Sequence, residues 1–430
     1  MTSTALSQDE RSSVEFVAED NPQATRRNRK ILVPRYGGPD VITVIEEPLP
    51  EPGPGEVRVR ILVAGVGYPD VLIREGTYPG GPKPPFTPGY EFIGTVDKLG
   101  AGVEGFELGQ RVGAISVYGS HADYLCVPAW WLVPVPDGLD PAEAAIVVFN
   151  YVTAYQMLHR TARVRKGERV LVHGAAGGVG TAVLQLGRLA GLELYGTGSG
   201  AQTGVISTLG ATPIDYTKGS FVDRIRELTG DGVDVVLDGI GGSVALGSYR
   251  ALRRGGRLVM YGHYGTTVGG RKNAHGIAVF YLTGALVFAG NLLPNGKRVL
   301  AFQVAKLRDR HPAWFRDDAG ALFELLAARK IEPLVADRIP LIEARRAHEN
   351  LGFGGITGKQ ILICDEEAME GTRATAETKS RRGPVTTRSE EQEMPRAQRS
   401  SGSATTANRP GQRKRLERDV IGTSTPSRKT

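Results

Sequence analysis

A chain of 430 residues exceeds one ordinary hydrophobic core, so its length predicts two domains with extensions. With 40% hydrophobic and 23% charged residues it has the composition of a soluble globular protein, and its two cysteines, Cys126 and Cys364, exclude a disulfide framework and indicate a reducing compartment. The formal net charge of +7 is concentrated at one end, because residues 366–430 hold 14 Lys and Arg against 9 Asp and Glu. Charge therefore gives little support to a nucleic-acid-binding core.

Both ends of the chain are expected to be disordered extensions. Residues 1–29 carry five acidic residues and contain no apolar run, so neither a secretory signal nor a transit peptide is evident. Residues 365–430 form a basic tail that is rich in Ser, Thr, Arg, Glu and Gly and poor in large apolar side chains. The basic run 412–415 is the part suited to an anionic partner, and a nucleic-acid role would rest on this tail alone.

Two stretches with different sequence patterns lie between the ends. Residues 30–150 contain short apolar or alternating segments separated by Gly and Pro, which predicts a β-rich, mostly antiparallel substrate domain. Residues 151–298 repeat strand, turn and helix, which predicts a doubly wound parallel sheet with right-handed crossovers. Residues 299–364 are predicted to turn helical near Val299, to return to the first domain and to complete its core. The predicted strands are 31–33, 56–63, 92–97, 110–114 and 122–127, then 169–173, 193–197, 212–215, 233–238, 256–261 and 285–290.

One apolar run, residues 277–293, is nearly uncharged. It is short for a membrane span and contains Gly, Thr and Asn. We interpret it as a buried helix end followed by a buried strand at 285–290, and we expect no membrane span.

The run from His173 to Gly180 predicts a dinucleotide site. It follows a strand-like segment and opens a helix at 179–190, so its backbone N–H groups and the helix N-terminus would face the pyrophosphate. The residues predicted to contact the phosphates are Ala176, Gly177, Gly178, Val179 and Gly180.

The end of the second parallel strand indicates which dinucleotide is bound. An NAD site usually has Asp or Glu there, whereas the residues from Leu194 to Gly200 contain no carboxylate. This favours NADPH over NADH, with Ser199 available to bond a 2′-phosphate. No Lys follows at 201–203, so Lys218 is left as an alternative cation.

Several motifs together resemble the medium-chain dehydrogenase/reductase superfamily over residues 30–364. They are similar to the quinone oxidoreductase branch, and within it to the group related to the synaptic-vesicle amine transport protein. The motifs are residues 70–79 (DVLIREGTYP), 88–94 (PGYEFIG), 150–155 (NYVTAY), 175–180 (AAGGVG) and the pair Gly358-Lys359. The resemblance implies a Rossmann-type dinucleotide-binding domain and a GroES-like catalytic domain.

The resemblance also implies a subclass without zinc. Alcohol dehydrogenases of this superfamily place a Cys or His just before the position of Asp70 and a His beside Glu91 to hold catalytic zinc. Here these places read Gly-Tyr-Pro at 67–69 and Gly-Tyr at 89–90, which supply neither thiolate nor imidazole. No metal is therefore expected.

Site residues are carried over from the resemblance onto matching positions. Thr153 is expected to orient the nicotinamide, and Tyr78, ahead of Tyr68 and Tyr90, to stack on a flat substrate and to donate a proton. Gly67 departs from the pattern, since relatives commonly carry Asn there, and this either weakens quinone reduction or widens the pocket. The remaining cofactor-binding residues are expected to be Asn150, Tyr216, Gly239, Tyr261, Gly262 and Lys359.

The sequence thus predicts a cytoplasmic, zinc-independent, NADPH-dependent oxidoreductase that passes hydride to a quinone or enone and forms a homodimer. A stand-alone enoyl reductase acting on a carrier-bound thioester is an alternative within the same chemistry. A cofactor-binding protein with little turnover is an alternative from a different class.

Overall fold

The computed structural model describes residues 26–365, which belong to one contact-defined unit of the chain. The disorder expected for the two ends therefore lies outside the described residues, except at 26–29 and at 365. Here the expectation is wrong in one detail, because a strand begins at Arg27 and pairs antiparallel with residues 43–48, which were not predicted as a strand. Hydrogen bonding to a neighbouring strand gives these polar residues an extended structure that their composition does not indicate.

The described elements are numbered in chain order. The strands are β1 Arg27–Leu32, β2 Thr43–Pro48, β3 Glu56–Val66, β4 Glu91–Leu99, β5 Arg111–Ile115, β6 Tyr124–Pro128, β7 Val133–Pro134, β8 Arg169–Val172, β9 Glu193–Gly198, β10 Thr212–Asp215, β11 Val233–Asp238, β12 Leu252–Met260, β13 Thr267–Val268, β14 Arg271–Lys272, β15 Arg298–Ala301, β16 Val335–Pro340 and β17 Lys359–Ile363. The α-helices are α1 Tyr68–Arg74, α2 Pro141–Ile146, α3 Val152–Tyr155, α4 Gly178–Leu189, α5 Thr203–Thr208, α6 Phe221–Thr229, α7 Ser243–Ala251, α8 Ala274–Ala289, α9 Val304–Arg310, α10 Pro312–Ala327 and α11 Ala344–Phe353.

Six parallel strands form the first sheet, in the order β10-β9-β8-β11-β12-β15. Numbered within the sheet this is 3-2-1-4-5-6, the doubly wound order in which the connections change direction between β8 and β11. Strand β11 is fully buried from Val233 to Asp238 because helices cover both faces of the sheet. Such sheets leave a crevice at the carboxyl ends of their strands, and the crevice opens here after β8 and β11.

The second sheet has seven strands and is mostly antiparallel, with β16-β17-β3-β4-β5-β7 in order and β6 paired to β3. Strands β16 and β17 come from the end of the described chain, and β17 pairs antiparallel with residues 63–66 of β3. The mixed α/β class, with a parallel sheet beside a β-rich GroES-like part, is confirmed. The division at residue 150 stays a prediction.

One helical rod, residues 141–162, joins the two sheets. Helices α2 and α3 lie within it and are separated and followed by π-helical turns at Val147–Tyr151 and Gln156–Ala162. Its first turn is capped by Asp140, whose side chain accepts hydrogen bonds from the backbone N–H groups of Ala142 and Glu143. A π-turn rotates the residues after it relative to a regular helix, so this segment fixes where the side chains at 150 and 153 point.

The predicted strand at 285–290 is wrong. These residues belong to helix α8 or the turn after it, and the sixth strand of the sheet is β15, from Arg298 to Ala301, where the sequence predicted a change to helix. An uninterrupted apolar run has no alternation to separate strand from helix, so periodicity could not decide between them.

Helix α8 is also more exposed than expected. Among the described residues, the stretch Ala274–Leu292 is the one helical segment long and apolar enough to cross a membrane by length and composition, and 17% of it is buried in the protein. The predicted absence of a membrane span stays a prediction, but the burial that was given as its reason is not observed. Its exposed apolar side chains include Tyr281, Leu282, Leu286 and Phe288.

We expect the Asp318→Ala substitution to lower the free energy of unfolding by about 2 kcal/mol. The buried carboxylate of Asp318 on α10 accepts hydrogen bonds from Gln156 Nε2 (3.0 Å) and Arg160 Nη2 (2.7 Å) of the helical rod. Removing it leaves the buried amide without its acceptor. Urea unfolding measures the change, and Asp317→Ala, which removes the exposed neighbouring carboxylate, is the matched control. Equal effects of the two substitutions would contradict this interpretation.

Candidate active site

A cavity of about 1100 Å³ lies between the two sheets and is the candidate active site. Its walls come from the residues that directly follow β8, β9, β11, β12 and β15, together with α1, the helical rod and the start of β17. A volume of this size is at the upper end of ligand sites and accommodates an extended cofactor together with a small substrate.

The glycine-rich turn after β8 forms part of the cavity wall. A side chain at Gly180 would place its Cβ 2.3 Å from the carbonyl oxygen of Gly174, so only glycine allows the helix to start this close to the turn. The N–H of Gly358 donates to the carbonyl oxygen of Ala176 at 2.9 Å and ties β17 to the turn. The N-terminus of α4 therefore faces the cavity, with its free N–H groups available to an anion.

The rod supplies two buried polar groups to the same cavity. Within residues 26–365, Asn150 Oδ1 and Thr153 Oγ1 have no hydrogen-bond partner, although both side chains are buried. A buried polar atom without a partner costs stability unless a ligand satisfies it. A carboxamide, which both donates and accepts, matches an amide and a hydroxyl side by side, so this part of the site fits a nicotinamide.

Most of the predicted site residues line this cavity. Those that do are Tyr68, Tyr78, Tyr90, Asn150, Thr153, Gly177, Gly178, Val179, Gly180, Tyr216, Gly239, Tyr261, Gly262 and Lys359. Ala176 and Ser199 are not part of the lining: Ala176 contacts β17, and the Ser199 hydroxyl bonds to Gln202 Oε1 at 3.3 Å. Lining the cavity places these residues together and leaves their individual roles as predictions.

The end of the cavity beyond β9 bears on the choice of dinucleotide. Gln202 and the half-exposed ring of Tyr216 line it. Arg250, at the end of α7, also lines the cavity and is a cation that the sequence reasoning missed. Lys218, the alternative considered from sequence, is exposed, lies outside the lining and pairs with Asp215 at 3.7 Å. The neighbouring strand β10 does end in a carboxylate, that of Asp215. Its Oδ1 accepts hydrogen bonds from the backbone N–H and the hydroxyl of Thr217.

Two of the three predicted tyrosines share a hydrogen-bonded chain. Gln303 Nε2 donates to the Tyr78 hydroxyl at 3.1 Å, and the hydroxyls of Tyr78 and Tyr90 are 2.8 Å apart. Burial raises the pKa of Tyr90 well above its usual value, so its hydroxyl stays protonated. When Tyr90 is the donor in this contact, the Tyr78 hydroxyl accepts hydrogen bonds from both Gln303 and Tyr90, and its own O–H is free to donate into the cavity.

Tyr68 plays a different structural part. Its ring stacks on that of Tyr264 with centroids 3.6 Å apart, and its hydroxyl is hydrogen-bonded to Thr267 Oγ1. Burial raises its pKa, so it too stays neutral. Tyr68 and Tyr264 both line the cavity and thus form an aromatic wall of stacked rings.

Asp70 is buried beneath the cavity and holds the loops around it. Its carboxylate accepts hydrogen bonds from the backbone N–H groups of Gly67 (2.8 Å) and Gly89 (2.9 Å). Burial raises the pKa of Asp70 to about 6 even though these donors and the nearby ammonium of Lys359 favour the charged form. Asp70 therefore holds together the two loops that contain Gly67 and Gly89. The described residues contain no group of three His, Cys, Asp or Glu side chains that could hold a metal ion.

Lys359 and Glu91 form a buried ion pair close to Asp70. Nζ of Lys359 lies 2.6 Å from Glu91 Oε1, and both side chains are at least 96% buried. The ammonium also lies 4.7 Å from the centre of the Phe149 ring. Burial raises the pKa of Glu91, and Lys359 opposes that shift.

Sequence reasoning missed other cavity residues besides Arg250, among them His263, Gln303 and Phe149. His263 follows the predicted strand at 256–261 by two residues, and a position just beyond the carboxyl end of a parallel strand was a usable signal. Burial lowers its pKa to about 4, so its imidazole is neutral at pH 7. Gln303 was missed because β15 was placed too early in the chain. Phe149 gave no signal beyond an apolar position on a helix.

Comparison with known proteins agrees with this geometry. The family model described as alcohol dehydrogenase GroES-like domain matches residues 53–137, and the model described as zinc-binding dehydrogenase matches residues 209–362. The human synaptic vesicle membrane protein VAT-1 homolog-like is 30% identical over 337 residues, which cover 78% of this chain and 80% of that protein. The chain therefore belongs to the medium-chain dehydrogenase/reductase superfamily of oxidoreductases.

Within the superfamily the chain is related to VAT-1 homologues and to quinone oxidoreductases, which confirms the resemblance identified from the motifs. The crystal structure of Escherichia coli quinone oxidoreductase complexed with NADPH superposes with a TM-score of 0.69 at 28% identity, covering 78% of this chain and 99% of that one. The phthioceranic/hydroxyphthioceranic acid synthase of Mycobacterium tuberculosis is 32% identical over 316 residues, which are 72% of this chain and 14% of the synthase.

The Asp70→Asn substitution should change how stability depends on pH. The pKa of Asp70 in the folded chain, about 6, is above the ordinary value of 3.8, so the folded state holds this proton more tightly and the ionised form costs stability as pH rises through 6. We expect the native protein to gain about 1 kcal/mol of unfolding free energy relative to Asp70→Asn between pH 7 and pH 5. Urea unfolding at the two pH values measures this gain; a constant difference between the proteins would contradict the buried carboxyl's role.

Proposed function

We propose that the protein is a cytoplasmic, zinc-independent, NADPH-dependent oxidoreductase that transfers hydride to a quinone or an α,β-unsaturated carbonyl compound. The observation that carries this proposal is the pair of cavity-lining residues Asn150 and Thr153, whose buried side-chain oxygen atoms have no hydrogen-bond partner in residues 26–365. They stand beside phenols at the carboxyl ends of a dinucleotide-binding sheet. Gly67 and Tyr90, at two places where zinc relatives have ligands, cannot bind the metal, which supports the zinc-free chemistry.

The chain's own residues would position two flat partners and stabilise charge. When bound, the nicotinamide supplies a hydride from its C4 position, and the acceptor gains that hydride and one proton. Asn150 and Thr153 hold the carboxamide, which fixes the face that the ring presents. The aromatic wall of Tyr68 and Tyr264 matches a planar acceptor, and the Tyr78 hydroxyl donates to the acceptor's carbonyl oxygen.

The preference for NADPH over NADH rests on the end of the cavity near β9. No carboxylate ends this strand, so a 2′-phosphate meets no direct repulsion there. Arg250 and Gln202 line the cavity and offer a cation and an amide. The E. coli quinone oxidoreductase that shares the fold was crystallised with NADPH, which supports the same choice.

A carrier-bound thioester is a second candidate acceptor. The match to 14% of a mycobacterial phthioceranic acid synthase favours it, because that segment is one part of a larger synthase. An enoyl thioester is itself an α,β-unsaturated carbonyl, so the same hydride chemistry applies.

Purified protein should oxidise NADPH faster than NADH when given 1,2-naphthoquinone, a simple enone or crotonyl thioester. The acceptor with the highest kcat/KM separates the quinone, enone and thioester hypotheses. Tight NADPH binding with no oxidation across these acceptors would contradict the enzyme proposal and favour a cofactor-binding protein.

The Thr153→Val substitution tests the nicotinamide contact directly. We expect the dissociation constant for NADPH, followed by its fluorescence, to rise about tenfold because one hydrogen bond is lost. The melting temperature of the free protein should not fall, since the hydroxyl has no partner within the described chain. Thr208→Val, on the exposed side of α5, is the matched control and should bind NADPH like the native protein. Unchanged NADPH binding in Thr153→Val would exclude this role.

We also propose that the protein is a homodimer joined through α8 and β15. Helix α8 exposes Leu282 (64%) and Leu286 (56%), and β15 lies at the edge of the parallel sheet in the described part of the chain. An edge strand paired antiparallel with its own copy forms a two-fold axis, which would bring the two copies of α8 together and cover both features at once. A lipid surface would cover the helix and leave the strand edge open.

The Leu282→Asp substitution should shift the protein from dimer to monomer, because it puts a charge into the apolar contact. Sedimentation velocity measures the shift, and Leu108→Asp, at an exposed leucine of the other sheet's loops, is the matched control that should leave the dimer intact. A native protein that is monomeric, or that floats with phosphatidylcholine vesicles through α8, would overturn the dimer.

A further inference from the structure

His173 connects three walls of the cavity through a buried chain of hydrogen bonds. It directly follows β8, its side chain is buried, and it lines the cavity together with Thr197 of β9. Its Nδ1 lies 3.0 Å from Thr197 Oγ1, and its Nε2 lies 3.0 Å from the hydroxyl of Ser248 on α7. Ser248 in turn donates to Oδ2 of Asp238, the last residue of β11, at 2.7 Å. The function proposed above gives no role to this imidazole.

The carboxylate at the end of the chain gives every hydrogen bond in it one direction. A carboxylate can only accept, so the single proton of the Ser248 hydroxyl points to Asp238. The Ser248 oxygen is then left to accept, which requires a proton on Nε2 of His173. Burial lowers the pKa of His173, and the carboxylate of Asp238, the charged group that acts on it, opposes this shift. The imidazole is therefore neutral at pH 7, and its Nδ1 accepts a hydrogen bond from the Thr197 hydroxyl.

One end of the chain holds the start of the glycine-rich turn. Thr197 Oγ1, whose proton points to His173, accepts a hydrogen bond from the N–H of Gly174 at 3.4 Å, and the Thr197 carbonyl oxygen accepts one from the N–H of Ala175 at 2.9 Å. These two N–H groups therefore bond to β9, whereas those at the start of α4 stay available to an anion. The Thr197 hydroxyl makes no other hydrogen bond within residues 26–365, so its proton is satisfied by Nδ1 of His173.

The other end of the chain shapes the turn after β11. Asp238 Oδ1 accepts hydrogen bonds from the backbone N–H groups of Ile240 (2.8 Å) and Gly241 (2.9 Å). The carbonyl oxygen of Gly239 accepts from the N–H of Tyr264 at 3.2 Å. Gly239, Ile240 and Tyr264 all line the cavity. The chain thus links the cavity residues at the ends of three neighbouring strands of the parallel sheet, β9, β8 and β11.

We propose that His173 is a positioning residue for the dinucleotide: as a neutral imidazole with its proton on Nε2, it holds the turns after β8, β9 and β11 in the arrangement that receives NADPH. This inference rests on the proposed function. His173 acts through Thr197, because its Nδ1 orients the hydroxyl that bonds the Gly174 N–H. The opposite tautomer would place two lone pairs against each other at Ser248 and leave the Thr197 proton without an acceptor.

Two substitutions of His173 separate the two ends of the imidazole. Asparagine places its side-chain oxygen where Nδ1 lies and keeps an acceptor for Thr197, whereas glutamine reaches the position of Nε2 and keeps only the donor to Ser248. We expect the dissociation constant for NADPH, followed by its fluorescence, to stay within about threefold of the native value in His173→Asn and to rise about tenfold in His173→Gln. Thr197→Val, which removes the hydroxyl and keeps the shape of the side chain, should match His173→Gln. His275→Asn, exposed and outside the cavity lining, is the control and should bind NADPH like the native protein.

Kinetics distinguish a positioned cofactor from a damaged fold. In His173→Gln and Thr197→Val, KM for NADPH should rise while kcat at saturating NADPH stays within about twofold of the native value, because these turns hold the cofactor equally in the ground state and the transition state. The tautomer is read by 15N NMR, in which the signals of His173 are assigned by their loss in His173→Asn. At pH 7 they should show a protonated Nε2 and a bare Nδ1.

The outcomes separate the two proposals. Equal NADPH affinity in the native protein, His173→Gln and Thr197→Val would overturn the role of His173 and leave the reductase function standing. A bare Nε2 or a doubly protonated ring at pH 7 would also overturn it, as would an equal loss of affinity in His173→Asn and His173→Gln. The expected order of NADPH affinities in a protein that reduces no acceptor would support His173 and refute the reductase function. A native protein that binds no NADPH would overturn both.

Discussion

The site depends on the close approach of β17 to the glycine-rich turn. Gly358 pairs with Gly177 in an isolated bridge, and its N–H donates to Ala176. Gly358 adopts a positive φ of 84°, and a Cβ there would lie 2.2 Å from the carbonyl oxygen of Leu334, so no other residue fits. This one junction joins a strand of the antiparallel sheet to the glycine-rich turn of the parallel sheet, and it places the next residue, Lys359, in the lining of the cavity.

The fold was largely predictable because its strongest signals are local. The strand, glycine turn and helix at 169–189 were identified with boundaries correct to about one residue, since periodicity and glycine position both mark them. The sixth strand was not, because an apolar helix of 16 residues gave a stronger signal than the four residues of β15. Short strands flanked by charged residues are identified by their neighbours in the sheet, which a sequence pattern does not contain.

The sequence predicted which residues belong to the site but not which of them contact one another. Motif resemblance selected Tyr78 and Tyr90, yet the hydrogen-bonded chain that joins them to Gln303 depends on where β15 ends. Resemblance likewise selected Lys359 but not its partner, because Glu91 is 268 positions away in the sequence and the pairing is made by sheet register. Local patterns report which residues face inward, whereas pairing across a core depends on the tertiary structure.

The helical rod at 141–162 has a mechanical consequence. It begins against the antiparallel sheet, carries Asn150 and Thr153 in its middle, and is anchored at its far end by the Asp318 hydrogen bonds. The two π-turns interrupt the regular α-helical geometry of the helical rod and change the direction in which the following side chains point. A rotation of one sheet against the other would turn this helical rod and move both side chains, so the angle between the sheets and the positions of Asn150 and Thr153 in the cavity would change together.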